Sequence, residues 1–195
     1  MRKIIVSMNV TLDGFMSGPG TALDWHLENW DDEMAACIAE QLSAADTILF
    51  GRVTYSAMET YWTSIAVTWS TAREDIAFAT MLNDYNKIVF SNTLCAATWN
   101  NTKIVRGILK NEIAYLRKQK GKHLMVYGSG QLAVALINFN LVDEFSIWVH
   151  PVVIGKGKSF FSALHQRLNL KLSHSKVFNT GVILLYYMTT NKIID

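Results

Sequence analysis

The chain has 195 residues, against a typical domain length of roughly 150, so a single domain over 1–195 is expected. Half of the residues are apolar and 17% are charged, which excludes a disordered chain; two prolines and eleven glycines exclude Pro-rich or collagen-like material. Eighteen basic and sixteen acidic residues leave a formal charge of +2, so neither nucleic acid nor an anionic membrane is indicated as a partner.

Residues 3–10 are apolar and β-branched and predict a first strand. Residues 11–21 carry Asp13, Gly14, Gly18, Pro19 and Gly20 and predict a loop. Residues 31–42 place Met34, Cys37, Ile38 and Leu42 at helical spacing, with acids in the first turn. A short buried strand is expected at 47–50, ending at Gly51, followed by helices at 53–62 and 73–82. Strands follow at 87–90 and 103–105, separated by the break Ser91-Asn92-Thr93. An amphipathic helix is expected at 111–118, with Ile113 and Leu116 inward and Gly121 beyond its end. A strand at 123–127 then leads through Gly128-Ser129-Gly130 into a helix reaching about Phe139. A strand at 144–149, a loop at 151–158, and strands at 168–178 and 182–189 around Asn179-Thr180-Gly181 complete the chain.

Strands alternate with helices and an antiparallel hairpin closes the chain. The expectation is a three-layer α/β/α sandwich around a mostly parallel sheet. Cys37 and Cys95 form no paired motif, which excludes a disulfide framework and a Cys-x-x-Cys zinc site and fits a reducing compartment. The opening MRKIIVSMNV has too short an apolar core for a secretory signal, and Ser7 and Asn9 interrupt it. No stretch approaches the roughly 20 apolar residues of a membrane span. A soluble, cytoplasmic protein is expected.

Three strand ends share a character. Phe50-Gly51-Arg52, Phe90-Ser91-Asn92 and Tyr127-Gly128-Ser129-Gly130 each place small or hydrogen-bonding residues just after an apolar strand. Ligands of open α/β sheets bind outside the carboxyl ends of strands. Helix starts offer free N–H groups to phosphate, and Arg52 adds a cation. The set suits a nucleotide with separate phosphate-bearing ends, although a glycine after a strand is by itself most often only a turn. The glycines do not make a full dinucleotide fingerprint, so a Rossmann reading is poor.

A second feature is Asp31-Asp32-Glu33, preceded by Trp25 and Trp30. A carboxyl beside indole rings is desolvated and its pKa rises, which suits a proton donor; a solvated helix start explains the same acids more simply. The five histidines are scattered, and none is spaced as a metal pair. His150 ends a strand before Pro151; a structural histidine is the default reading there, a cleft residue the other. Trp62, Trp69, Trp99 and Trp148 are expected in the core or an interface.

Several segments together resemble one family: Ser7 with Asp13-Gly14-Phe15; Gly51-Arg52-Val53-Thr54-Tyr55; Val89-Phe90-Ser91-Asn92-Thr93-Leu94; Tyr127-Gly128-Ser129-Gly130-Gln131-Leu132; and Leu141-Val142-Asp143-Glu144 with Pro151, Gly155, Lys156 and Gly157. They are similar to the dihydrofolate-reductase-like superfamily. Within it, the resemblance is to the C-terminal reductase domain of the bifunctional riboflavin-biosynthesis deaminase/reductase, in stand-alone form. The resemblance implies an eight-stranded sheet and NADPH bound across the strand ends. By the family pattern, Gly51, Arg52, Val53 and Thr54 would hold the adenine-side phosphate and pyrophosphate. Ser91 and Asn92 would line the 2′-phosphate pocket, and Gly128, Ser129, Gly130, Gln131 and Leu132 would cradle the pyrophosphate. Asn9 and Val10, with the loop at 13–17, would approach nicotinamide and substrate.

A 2′-phosphate calls for Arg or Lys. Relatives often carry arginine at the position of Asn92; here Arg52 and Arg106 are the available cations, and NADP is favoured over NAD. The resemblance further implies a carboxylate proton donor on the first helix, for which Asp32 is the candidate. The implied function is an NADPH-dependent reductase of a pyrimidine- or pterin-like molecule, similar to 5-amino-6-(5-phosphoribosylamino)uracil reductase or dihydrofolate reductase. Lys156 and Lys158 are candidates for a substrate phosphate. The alternative is a non-catalytic NADP(H)-binding protein that kept the fold. A homodimer and no bound metal are expected.

Overall fold

The structure, a computed structural model, describes residues 1–64 and 73–190. Trp69 lies outside the described residues. The elements run β1 (Ile4–Thr11), β2 (Phe15–Ser17), a 3-10 turn (Pro19–Thr21), α1 (Asp24–Leu27), α2 (Asp32–Ser43), β3 (Ala45–Gly51), α3 (Arg52–Ser64), α4 (Arg73–Asp84), β4 (Asn86–Phe90), β5 (Thr102–Val105), α5 (Leu109–Lys118), β6 (His123–Tyr127), α6 (Gly130–Asn138), β7 (Glu144–His150), β8 (Lys158–Ser159), β9 (Leu170–Val177) and β10 (Ile183–Thr189).

Eight strands form one sheet in the order β5-β4-β3-β6-β1-β7-β10-β9. β5 through β7 pair in parallel, and β10 runs antiparallel to both β7 and β9. The central strands are mostly apolar because both sheet faces are covered, with Ser7 and Asn9 in β1 and Asp46 and Thr47 in β3 among the exceptions. One face holds Met34, Ile38 and Leu42 of α2 with Tyr55 of α3 and Leu82 of α4. The other holds Ile113 and Leu116 of α5 with Leu132 and Leu136 of α6. The three-layer sandwich and the closing hairpin follow the sequence expectation. At the hairpin, Gly181 takes a φ of +85° and its amide donates to the Phe178 carbonyl at 2.9 Å.

α2 starts as its sequence predicts. The Asp31 carboxylate accepts from the Met34 amide at 2.8 Å, while Asp32 and Glu33 occupy the first turn. The expected loop at 11–21 is corrected: it contains β2, which pairs with β8, and then the 3-10 turn. The glycines that signal a loop also permit this small sheet. A Cβ on Gly157 would strike the Ser17 carbonyl, so the two segments approach closely only because that position is glycine. α1 is a further addition: one turn, with no side-chain cap, too short to register as a period.

The amino-terminal edge of the sheet is closed by charge pairs. Arg2 binds Asp46, and its guanidinium also donates to Thr47 Oγ1 at 2.8 Å. Arg117 meets Asp143 at 2.6 Å, and Asp143 also accepts the Ile4 amide at 2.7 Å. Lys87 Nζ is buried and donates to the carbonyls of Leu82, Asn83 and Tyr85, closing the end of α4.

Candidate functional site at the carboxyl edge

At the opposite edge, β3 passes directly into α3 at Gly51–Arg52, and β6 passes into α6 through Gly128 and Ser129. The two junctions are tied together. The Gly51 amide donates to Ser129 Oγ at 3.0 Å, and Thr54 Oγ1 donates to the Gly128 carbonyl at 3.4 Å. Gly128 has φ of +68°, and a Cβ on Gly130 would run into the Met16 sulfur. The positive φ favours glycine at 128, and the missing Cβ at 130 leaves room for the Met16 side chain to lie against the α6 start.

The first bond back into α6 is from Ala133 to the Ser129 carbonyl, 2.9 Å. Ahead of it, the Gln131 and Leu132 amides have no intrahelical acceptor, as at any helix start. Ser129 spends its hydroxyl on Gly51, so no side chain caps α6. Arg52 and Val53 are exposed in the first turn of α3. Arg52 forms no ion pair with a described residue. The cradle anticipated from Gly51, Arg52, Thr54 and Gly128 through Leu132 is thus contiguous in space.

Ser91 and Asn92 follow β4. The Ser91 hydroxyl accepts from the Thr93 and Leu94 amides at 3.2 and 2.9 Å, forming a compact turn, and Asn92 is exposed on it. Arg106, one residue past β5, donates to the Leu94 carbonyl at 2.7 Å. Its guanidinium is thereby held against the same turn.

Asn9 and Val10 lie near the carboxyl end of β1, beside β7. Val10 is buried, whereas Asn9 is half-buried and its Oδ1 lies 2.9 Å from His150 Nε2. Asp13 organises the neighbouring loop by accepting from Thr11 Oγ1 at 2.6 Å and from the Gly155 amide at 2.8 Å. These bonds hold its carboxyl below its ordinary range, the Thr11 hydroxyl contributing most. Lys156 and Lys158 are exposed on this loop.

For Asp32 the fold bears out the simpler of the two readings, a solvated helix start. Its side chain is exposed in the first turn of α2. The indoles that were to desolvate it pack on histidines: Trp25 lies 5.1 Å from His150 and 6.2 Å from His26, and Trp30 lies 5.4 Å from His26. His26 and His150 are themselves 5.3 Å apart. Burial, and then the nearby His26, push the His150 imidazole down to about 4; burial also lowers His26. Both rings are neutral at pH 7. Trp148 and Trp99 are buried as expected, and Trp62 packs on Phe78.

This aromatic and histidine cluster is the part that sequence reasoning missed. Its members come from positions 25–30, on α1 and the segment before α2, and from 148–150 at the end of β7, and they meet only in the folded chain. The signals available were the spacing of Trp25, His26 and Trp30 and the place of His150 at a strand end. Among the described residues, no group of three or more His, Cys, Asp or Glu side chains could hold a metal ion.

The sequence profile of the RibD C-terminal domain matches residues 2–184. The chain belongs to the RibD C-terminal domain family. The uncharacterized protein YyaP of Bacillus subtilis (strain 168) is 32% identical over 186 residues, 95% of this chain and 94% of YyaP. Among solved structures, a putative riboflavin biosynthesis protein from Shewanella sp. PV-4 superposes with a TM-score of 0.72 at 22% identity, covering 96% of this chain and 98% of that one. Dihydrofolate reductase from Enterococcus faecalis, complexed with NADP(H), superposes with a TM-score of 0.60 at 13% identity, covering 97% of each chain. The fold of this RibD C-terminal domain is therefore dihydrofolate-reductase-like, and the family points to reductase-type enzymes. No helix among the described residues is long and apolar enough to cross a membrane.

Proposed function

We propose that this chain is an NADPH-dependent reductase acting on a pyrimidine- or pterin-like small molecule. One observation carries the reading: free amides at the start of α6, Arg52, which has no ion pair among the described residues, and the tethered Arg106 stand at the carboxyl ends of β6, β3 and β5, within one four-strand half of the sheet. That arrangement suits a nucleotide with two separated phosphate groups.

The fit is specific at the residue level. The missing Cβ of Gly130 lets Met16 close over the α6 start, and Gln131 and Leu132 amides are left to meet a pyrophosphate. Arg52 and Thr54 would hold the phosphates from the α3 side, with Gly51 and Val53 shaping the junction. Arg106, Ser91 and Asn92 would receive the 2′-phosphate. Asn9 and Val10 would border the nicotinamide. When bound, NADPH would supply the hydride, and the chain would align donor and acceptor carbons and exclude water.

Asp32 is the proposed proton donor to the reduced substrate. In that role its exposed carboxyl would be covered by the substrate itself. The test is NADPH oxidation in the presence of pyrimidine and pterin substrates, comparing wild type with Asp32→Asn. Lost turnover with retained NADPH binding supports the assignment; unchanged turnover removes Asp32 from the mechanism. The second reading, a non-catalytic NADP(H)-binding protein, draws support from that same exposure and predicts cofactor binding without turnover of any such substrate.

A homodimer is also proposed, through the β9–β10 end of the sheet. β9 is an edge strand exposed along most of its length, with Leu172 and Val177 in solvent. A monomeric mass by light scattering at micromolar concentration contradicts it.

A further inference from the structure

Buried polar side chains in folded proteins nearly always have partners, so each orphan calls for an explanation. Four orphan atoms occur among the described residues: Trp25 Nε1, His26 Nε2, His150 Nδ1 and Arg117 Nε. Arg117 satisfies its other nitrogens with Asp143 and the Leu141 carbonyl, at the amino-terminal edge. The other three belong to rings in mutual contact beside Asn9. Trp25 and His150 are only 5% and 0% exposed. Three orphans in one place are not a packing accident of a single residue.

The chemistry of the orphans is defined. Indole Nε1 is a donor only. The Asn9 carboxamide oxygen faces His150 Nε2 at 2.9 Å, and on that contact we assign the imidazole proton to Nε2, which makes Nδ1 the acceptor. A donor and an acceptor therefore stand on rings whose centroids are 5.1 Å apart. His26, neutral at pH 7, can serve either role beside them. Among the described residues, neither a carboxylate nor a cation pairs with these rings, so the complement they ask for is uncharged. α1, which carries Trp25 and His26, is a single turn with no side-chain cap, and a ligand reaching these rings requires it to shift.

We propose that Trp25 and His150, with His26 beside them, form a recognition site for an uncharged amide edge, a C=O adjacent to an N–H. The indole donates to the carbonyl, and His150 Nδ1 accepts the N–H. The inference rests on reading the carboxyl edge as a reductase site, and it names the polar group that this site selects. Two molecules there could present such an edge: the carboxamide of the nicotinamide ring, or a lactam of the substrate.

Two probe pairs separate these sources, each measured by titration calorimetry on the full chain. NADP⁺ is compared with its 3-acetylpyridine analogue, in which a methyl ketone removes the N–H. 5,6-Diaminouracil is compared with its 1,3-dimethyl derivative, which lacks both ring N–H groups, at saturating NADP⁺. One pair is expected to differ by at least about fivefold, the worth of one neutral hydrogen bond. His150→Leu should reduce that ratio towards one, whereas Trp25→Phe should weaken both members of the pair alike, since both keep the carbonyl.

The discriminating pair identifies the source. Equal binding within both pairs overturns the proposal, as does a ratio that survives His150→Leu. The wild-type ratios and Trp25→Phe decide the matter even where His150→Leu does not fold. If NADP⁺ fails to bind while the uracil pair, measured without it, still discriminates, the cofactor reading fails and the recognition site stands.

Discussion

The two edges of the central sheet are built to opposite rules. At the amino-terminal edge, charges are paired: Arg2 with Asp46, Arg117 with Asp143, Lys3 with Glu144 at 2.5 Å, and Lys87 with three carbonyls. At the carboxyl edge, among the described residues, Arg52 has no ion pair, no side chain caps α6, and Trp25, His26 and His150 keep orphan atoms. Both edges are made of the same strands, so the difference does not come from the core. Buried polar groups without partners cost stability, and a fold keeps them where a ligand supplies the partner. On the proposed function, the contrast separates residues that hold the sheet from residues that would meet a ligand.

The contrast breaks first at the amino-terminal edge. Asp143→Ala leaves Arg117 facing the Ile4 amide without its carboxylate, and both side chains of the pair are largely buried. The expected loss is about 3 kcal/mol in urea unfolding, with cofactor affinity little changed in the folded fraction. A loss under 0.5 kcal/mol would show that this edge is not what holds the sheet.

The next effect is a pH dependence at the other edge. The folded state holds His150 near 4 against an ordinary value of 6.5, and burial lowers His26 as well. The unfolded chain binds more protons between these values, so stability is fully present above about pH 6.5 and falls towards pH 4. The His150 contribution is on the order of 2 kcal/mol. His150→Leu should flatten that limb of the urea-midpoint against pH curve; an unchanged limb contradicts the assignment.

Arg52→Ala and Arg106→Ala sharpen the comparison with little structural effect. Each should weaken NADPH roughly tenfold in a fluorescence titration and shift stability by less than about 0.5 kcal/mol. A several-fold loss for NADH with either variant would place that arginine away from the 2′-phosphate. The smallest effect is that of Asp32→Asn on stability. Removing one exposed charge from the first turn of α2 should cost about 0.3 to 1 kcal/mol in low salt, and less as salt is added.

Much of the fold was legible in the sequence for local reasons. β1, β3 and β6 are short segments dominated by apolar residues, and α2 carries its own cap and its own period. The joined strand ends at Gly51 and Gly128 were legible because small residues after apolar strands mark the carboxyl edge wherever the sheet is parallel. Arg106 was legible only as a cation after the next strand, and its tether to the Ser91 turn belongs to the fold. What stayed hidden depends on distant pairing. β2 and β8 are three and two residues long and find each other across about 140 positions. The neighbours of Trp25 were misassigned for the same reason: adjacency in sequence suggested Asp32, and the fold supplied His150.

The central claim is that the carboxyl edge is a phosphate-reading cofactor site. Titrating the purified protein with NADPH and with NADH, followed by nicotinamide fluorescence, tests it most directly. The account predicts tight NADPH binding, clearly weaker NADH binding, and loss of that difference in Arg52→Ala combined with Arg106→Ala. Failure of both nucleotides to bind would contradict it, and the open edge would then require a different ligand.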